Sequence, residues 1–163
     1  MLITETHHFF HSGPIKNSTC PVLTIPGKWP KTDFKKVLLP VILNPGNLET
    51  YLYSRPIIEK NKSELFLLGL YEQEKDLVDH EISTLIDKMK LQLANSNVVF
   101  KSEMSHSKDF PAKILNAAKE YDVDLIILSA NLDYDFKAYF IGPLVQQIVN
   151  HCRLPVLSIK PKS

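Results

Sequence analysis

Residues 123–129 read Val-Asp-Leu-Ile-Ile-Leu-Ser, a short apolar run typical of a buried β-strand. From Phe34 onward, similar runs rich in valine, isoleucine and leucine alternate with longer segments of helical period. That alternation predicts an α/β fold with an open parallel sheet and helices on both faces. Five strands joined by four crossovers are predicted, at residues 36–42, 64–71, 98–102, 125–129 and 156–159.

The crossovers differ in how clearly they predict a helix. The second has apolar residues three and four positions apart from Val78 to Leu93, which predicts an amphipathic helix. The third is predicted to begin after the N-cap Asp109, and the fourth at Pro143, a proline that suits a first helical position. In the first crossover, Pro56 is expected to kink the helix or to delay its start.

Composition limits the class of protein. The chain has 163 residues, 44% of them hydrophobic, and a formal charge of +1, so no global field would draw it to nucleic acid or to an anionic membrane. Its apolar runs are far shorter than the roughly 20 residues that span a bilayer, and the first ten residues lack a signal-peptide pattern. With only Cys20 and Cys152, which have no framework spacing, we expect a cytoplasmic protein with reduced thiols.

A short internal repeat lies upstream of the main pattern. Pro21-Val22-Leu23-Thr24-Ile25 nearly repeats Pro155-Val156-Leu157-Ser158-Ile159, and Gly13-Pro14 precedes the first copy as Gly142-Pro143 precedes the second. Five matching residues in an apolar strand also arise by chance, but the second match favours a repeat whose first copy is mostly missing.

Several of these segments, taken in order, resemble the universal stress protein family. They are Lys35-Lys36-Val37-Leu38-Leu39-Pro40-Val41, Ser63 to Leu68, Ile114 to Leu128, Gly142, and Leu154 to Ile159. The resemblance implies a Rossmann-like five-stranded sheet, frequent dimers, and tandem pairs of domains in one polypeptide. It divides the chain into residues 1–25 as the tail of a preceding repeat with a strand at 22–25, a linker at 26–33, and the main domain at 34–163.

The resemblance also implies where ATP would bind. Members that bind it have an aspartate at the end of the first strand, where this chain has Pro40, Val41 and then Ile42. They also have a loop of Gly, two residues, Gly, nine residues, Gly and a hydroxyl residue. The positions that match here are Ser129, Leu132, Gly142 and Pro143.

The replaced residues oppose ATP binding in three ways. Leu132 adds bulk where glycine lets backbone amides approach phosphates. Pro143 removes a backbone N–H and a hydroxyl, and Ile42 cannot make a carboxylate's polar contacts. These seven positions are therefore predicted to form a degenerate nucleotide site that holds no ATP.

Other candidate sites are weaker. His7, His8 and His11 lack further ligands, so no metal site is predicted. Asp133 and Asp135 are interpreted as solvated loop residues whose charge would repel phosphate. Ser102, Ser105, His106 and Ser107 lack the motif that accompanies a hydrolase nucleophile.

The sequence thus predicts a domain of the stress response that is not an enzyme, uses no cofactor and works by dimerisation or protein association. A homodimer is expected through the edge strand near Val156–Ile159, where residues 22–25 are also expected to pair. The alternative is a small-ligand or nucleotide-binding sensor with a reshaped cleft around Ile42 and Leu132.

Overall fold

The computed structural model describes residues 1–6, 20–31, 33–43, 46–72, 76–94, 96–130 and 141–161. Strands and helices alternate along most of this part of the chain. In order they are β1 Leu2–Thr6, β2 Val22–Pro26, β3 Lys36–Val41, α1 Asn47–Asn61, β4 Glu64–Tyr71, α2 Asp76–Leu93, β5 Phe100–His106, α3 Phe110–Glu120, β6 Leu125–Ser129, α4 Ile141–His151 and β7 Val156–Ile159.

The described strands form one sheet in the order β1-β2-β7-β6-β3-β4-β5. The strands β3 to β7 all run parallel, which confirms the predicted Rossmann-like set of five parallel strands. Two N-terminal strands enlarge the predicted five-stranded sheet to seven, with β2 antiparallel to β7 and β1 parallel to β2. The sequence did not indicate β1, because a strand at a sheet edge can be held by backbone hydrogen bonds without a long apolar run.

Helices cover both faces of this sheet, as predicted. On one face, Ile114 of α3 and Ile148 of α4 pack into an apolar cluster with Ile126 of β6. On the other face, Tyr51 of α1 and Met89 of α2 pack with the second cluster. Neighbouring residues of β6 alternate between the two clusters, as side chains on a strand do. None of the helices in the described segments is long and apolar enough to cross a bilayer.

The third parallel strand departs most from the sequence-based expectation. It was expected at residues 98–102 and instead spans Phe100–His106, although most of its side chains are exposed. It pairs with β4 over its whole length and is the last strand at that side of the sheet. Such an edge strand needs backbone pairing more than burial, so the apolar run was a poor guide to where it ends.

Two helices also begin earlier than expected. The helix α1 begins at Asn47 and continues through Pro56 to Asn61, so Pro56 does not delay its start. Because Pro56 and Leu52 are both exposed, the Leu52 carbonyl that Pro56 cannot bond lies on the solvent side. The helix α4 begins two residues before Pro143, which still falls in the first turn, where backbone N–H groups lack intrahelical partners.

Asp124 attaches the connection between β2 and β3 to the sheet. Its buried carboxylate accepts hydrogen bonds of 2.9 Å from the backbone N–H groups of Lys35 and Lys36, and a further bond from the Lys31 ammonium. This connection spans residues 27–35, close to the predicted linker at 26–33. The division into a tail, a linker and a main domain stays a prediction.

Candidate functional site

The sheet order places one crevice between β3 and β6. The strand β3 is followed along the chain by β4 on one side, whereas β6 is followed by β7 on the other. Neighbouring parallel strands whose connections leave in opposite directions form a switch point, and ligands of open α/β sheets bind outside the carboxyl ends of such strands. The predicted site residues Val41 and Ser129 are the last residues of these two strands.

At the end of β3 the crevice is apolar. Pro40 and Val41 are buried, and the half-buried Ile42 packs against the cluster formed with α3 and α4. The carbonyl oxygen of Ile42 accepts a hydrogen bond from the Asn47 side chain, which closes the turn into α1. The backbone there is held by uncharged groups, and Ile42 fills the position where a carboxylate would serve a nucleoside.

At the end of β6 the structure describes only part of the predicted loop. The Ser129 hydroxyl is buried and has no hydrogen-bond partner among the described residues. The next residue, Ala130, is fixed by a 2.7 Å bond from its N–H to the Ile159 carbonyl. Gly142 and Pro143 lie in the first turn of α4, which follows β6 and so begins at this edge. Leu132, Asp133 and Asp135 lie outside the described residues.

The N-terminus of α1 also borders the crevice, and the sequence analysis missed it. Its N-cap is Gly46, which has a left-handed backbone with φ of 97° and makes no side-chain capping bond. The buried Pro161, two residues after β7, lies so close that a Cβ atom at Gly46 would collide with its ring. An apolar ring therefore lies against the helix end that could otherwise attract an anion. Gly46-Asn47 was a possible turn signal, but no sequence pattern pointed to Pro161.

Two more hydroxyls on α1 are buried without partners in the described part of the chain. They are the Thr50 and Tyr51 hydroxyls, in the first turns of α1, and both residues are fully buried. By strand alternation Ser129 lies on the same sheet face as Ile127, which packs in the cluster that contains Tyr51. Burial raises the pKa of the Tyr51 hydroxyl, so it stays protonated. These groups can form hydrogen bonds with a neutral polar ligand, but hydroxyls that stay protonated supply no base.

The other candidate residues that the structure describes have local structural contacts. Ser107 exchanges hydrogen bonds with the backbone of Asp109, the N-cap of α3. The exposed His106 ring contacts the Glu72 carbonyl at 2.9 Å and lies tilted against the Tyr71 ring. Burial raises the pKa of the Cys152 thiol, which packs against the apolar cluster that contains Ile148. The histidines 7, 8 and 11 lie outside the described residues, within which no three metal-ligating side chains cluster.

Known proteins that match this chain share its fold. The model of the universal stress protein family matches residues 52–160, about two thirds of the chain. A search of curated protein sequences finds no match. The similarity to solved structures is in fold, at low sequence identity.

Three solved structures illustrate the extent of the match. A universal stress protein from Archaeoglobus fulgidus DSM 4304 is 14% identical with a TM-score of 0.69, over 92% of this chain and 53% of that one. UspA from Lactobacillus plantarum is 18% identical with a TM-score of 0.59, over 80% of this chain and 100% of that one. A universal stress protein solved in complex with cAMP is 12% identical with a TM-score of 0.57, over 78% of this chain and 98% of that one.

The coverage differs between the longer and the shorter relatives. This chain spans about half the length of the Archaeoglobus protein. That match covers 92% of the chain, so it must include residues that precede residue 36. The other two relatives match about four fifths of the chain, close to the share that these residues represent. Part of the region that contains β1 and β2 therefore has its structural counterpart in the longer relative.

Proposed function

The chain belongs to the universal stress protein family, and from that premise we propose that it is a non-catalytic member that acts by protein association in the stress response and does not bind ATP. The observation that supports this proposal most is the end of β3. There Ile42 packs into the apolar core instead of presenting a polar side chain to the crevice. A cytoplasmic location is part of the proposal.

Four further residues support the loss of ATP binding. Ser129 stands at the end of β6 in place of the first glycine of the phosphate loop, and Leu132 and Pro143 replace two other residues of that pattern. Pro161 lies against the N-cap of α1, where an apolar ring offers a phosphate no hydrogen bond. Each change removes a separate contact to the nucleotide, so their free-energy losses accumulate.

The pairing of β2 with β7 supports association. The edge of β7 takes up a strand in antiparallel register, so this fold can use that edge to hold another segment. The homodimer predicted through the edge near Val156–Ile159 stays a prediction, and it would require β2 to leave that edge. In this chain β2 already covers the β7 edge, so β7 is not the edge strand that the sequence predicted.

Isothermal titration of the chain with ATP and Mg²⁺ tests the proposal. We expect no saturable heat up to millimolar ATP, and micromolar binding would contradict it. The matched control restores the family's residues with Ile42→Asp, Ser129→Gly, Leu132→Gly and Pro143→Ser. If this variant folds, it is expected to bind ATP more tightly than the unchanged chain does.

A second candidate function is a sensor for a small, less charged molecule in the reshaped cleft. The buried hydroxyls of Thr50, Tyr51 and Ser129 favour it, because buried polar groups normally have hydrogen-bond partners and a ligand could supply them. One relative of similar fold was solved in complex with cAMP. Mass spectrometry of the natively folded chain would detect a co-purified molecule, and loss of that molecule in Thr50→Val would assign it to this cleft.

A further inference from the structure

The pairing between β2 and β7 is symmetric. Val22 lies opposite Ser158, Leu23 opposite Leu157, and Thr24 opposite Val156. In the sequence repeat, the equivalent residues are Val22 and Val156, Leu23 and Leu157, and Thr24 and Ser158. Exchanging the two copies therefore maps this ladder onto itself. A local two-fold axis passes between Leu23 and Leu157, as in an interface between two identical chains.

The symmetry extends to the next strand on each side. In β1, Leu2 and Ile3 pair with Val22 and Leu23 in parallel register. In β6, Ile126 and Ile127 pair in the same way with Val156 and Leu157. The β1–β2 unit thus repeats the β6–β7 unit in strand direction, order and register.

Burial is also equivalent on the two sides of the axis. Val22 and Val156 are each 1% exposed, and Leu23 and Leu157 are 5% and 1% exposed. Thr24 and Ser158 are both buried with hydroxyls that lack partners in the described part of the chain. A second copy of β7 in the place of β2 would recreate every pair of this ladder, with serine instead of threonine at one position.

The connection to β3 lets β2 reach this edge from within the same chain. β2 ends beside the beginning of β7, because the two strands are antiparallel. From there the connection crosses beneath β7 and β6 to β3, a span of three strand spacings or about 15 Å. Its nine residues, 27–35, reach roughly 30 Å when extended, and Lys31 is bonded to Asp124 at the start of β6. A tethered strand competes with a second chain at an effective concentration in the millimolar range.

We propose that β1 and β2 take the place of a second copy of this chain at the β7 edge. They hold the full chain monomeric at that edge, and a chain whose β2 is displaced pairs its β7 with the β7 of another copy. This inference goes beyond the absence of ATP binding and does not depend on it. It also names the partner that the exposed β7 edge fits, namely the same strand of another copy.

A cysteine at the symmetry axis tests the proposal in the full chain. In a background with Cys20→Ser and Cys152→Ser, Leu157→Cys would face itself across the axis of a β7–β7 pair. Directly opposite residues of antiparallel strands have Cα atoms about 4.5–5.5 Å apart, which is within disulfide range. Mild oxidation followed by non-reducing mass analysis is expected to leave L157C at the mass of one chain. A disulfide-linked dimer of this variant would overturn the proposal.

The double variant Leu23→Cys with Leu157→Cys examines the same pair within one chain. It is expected to form an internal disulfide, at the mass of one chain and with no thiol left to label. A double variant that crosslinks mainly between chains would overturn the proposal, because β2 would then belong to the partner's edge.

Displacing β2 should expose the edge of β7 that β2 covers. Adding Val22→Asp and Leu23→Asp to L157C puts two carboxylates in buried positions, which β2 cannot tolerate next to β7. After oxidation, this variant is expected to have the mass of two disulfide-linked chains. The matched control adds Lys28→Asp, at an exposed position, to L157C and is expected to keep the mass of one chain. A displaced variant that keeps its far-UV spectrum but remains one chain would overturn the proposal. If that variant does not fold, the two preceding variants decide the result.

Discussion

Ile42 occupies the position at the end of β3 where ATP-binding relatives have an aspartate, and it packs into the core beneath α3 and α4. Its neighbour across the crevice, Ser129, has a buried hydroxyl without a partner in the described residues. The family resemblance identified the positions of both residues. The Pro161 ring beside Gly46 could not be predicted, because Pro161 comes from the opposite end of the chain and reaches the crevice only in the folded sheet.

Gly46 gives a direct test of the close contact at this crevice. Gly46→Ala is expected to lower the free energy of unfolding by at least about 1 kcal/mol, since it combines a strained positive φ with a collision against Pro161. Urea denaturation measures the change. Gly27→Ala is the matched control, because no atom lies within 4 Å of its Cβ position. Equal effects of the two substitutions would show that the Pro161 contact is absent.

Tyr121 gives a pH-dependent test. Its hydrogen bond to the Glu103 carboxylate and its partial burial raise the Tyr121 pKa to about 12, from 10.0. The folded state therefore favours the protonated form, and this contribution to stability is present below pH 10 and lost as the pH rises through about 12. The stability difference between the chain and Tyr121→Phe is expected to be constant from pH 7 to 9 and to shrink above pH 10. A difference that grows above pH 10 would contradict this assignment.

At the scale of elements, the central strands were predicted closely and the edges poorly. Three of the predicted strands, 64–71, 125–129 and 156–159, have the observed bounds, because both faces of a central strand are buried and its apolar run is as long as the strand. The strand β5 was placed too early, since most of its side chains are exposed and the strand is held by pairing with β4 over its whole length. Of the two effects expected of Pro56, a kink or a delayed start of α1, the delay does not occur, because a proline on the exposed side of a helix removes only one hydrogen bond from a solvated carbonyl.

Asp124 connects three elements and should contribute to the stability of all of them. Asp124→Asn replaces a charged acceptor of two backbone N–H groups, so the free energy of unfolding is expected to fall by about 2 kcal/mol. Lys31→Met removes only a half-exposed ammonium from the same carboxylate and is expected to cost less than about 1 kcal/mol. Urea denaturation compares the two. A larger loss for Lys31→Met would show that the backbone bonds are not the main interaction.

For the whole molecule, the repeat between residues 21–25 and 155–159 was the most informative signal beyond the five parallel strands. It predicted that β2 joins the sheet beside β7, and the structure confirms that pairing within the chain. The symmetric register could not be predicted, because the repeat fixes which residues are equivalent but not the direction in which the two strands run.

A crystal structure of the full chain grown with excess ATP and Mg²⁺ tests the account most directly. It is predicted to show no nucleotide between the ends of β3 and β6, with Ile42 in the core and β2 paired with the β7 strand of the same chain. ATP bound in that crevice, with its phosphates at the first turn of α4, would contradict the central claim that this family member no longer uses its nucleotide site.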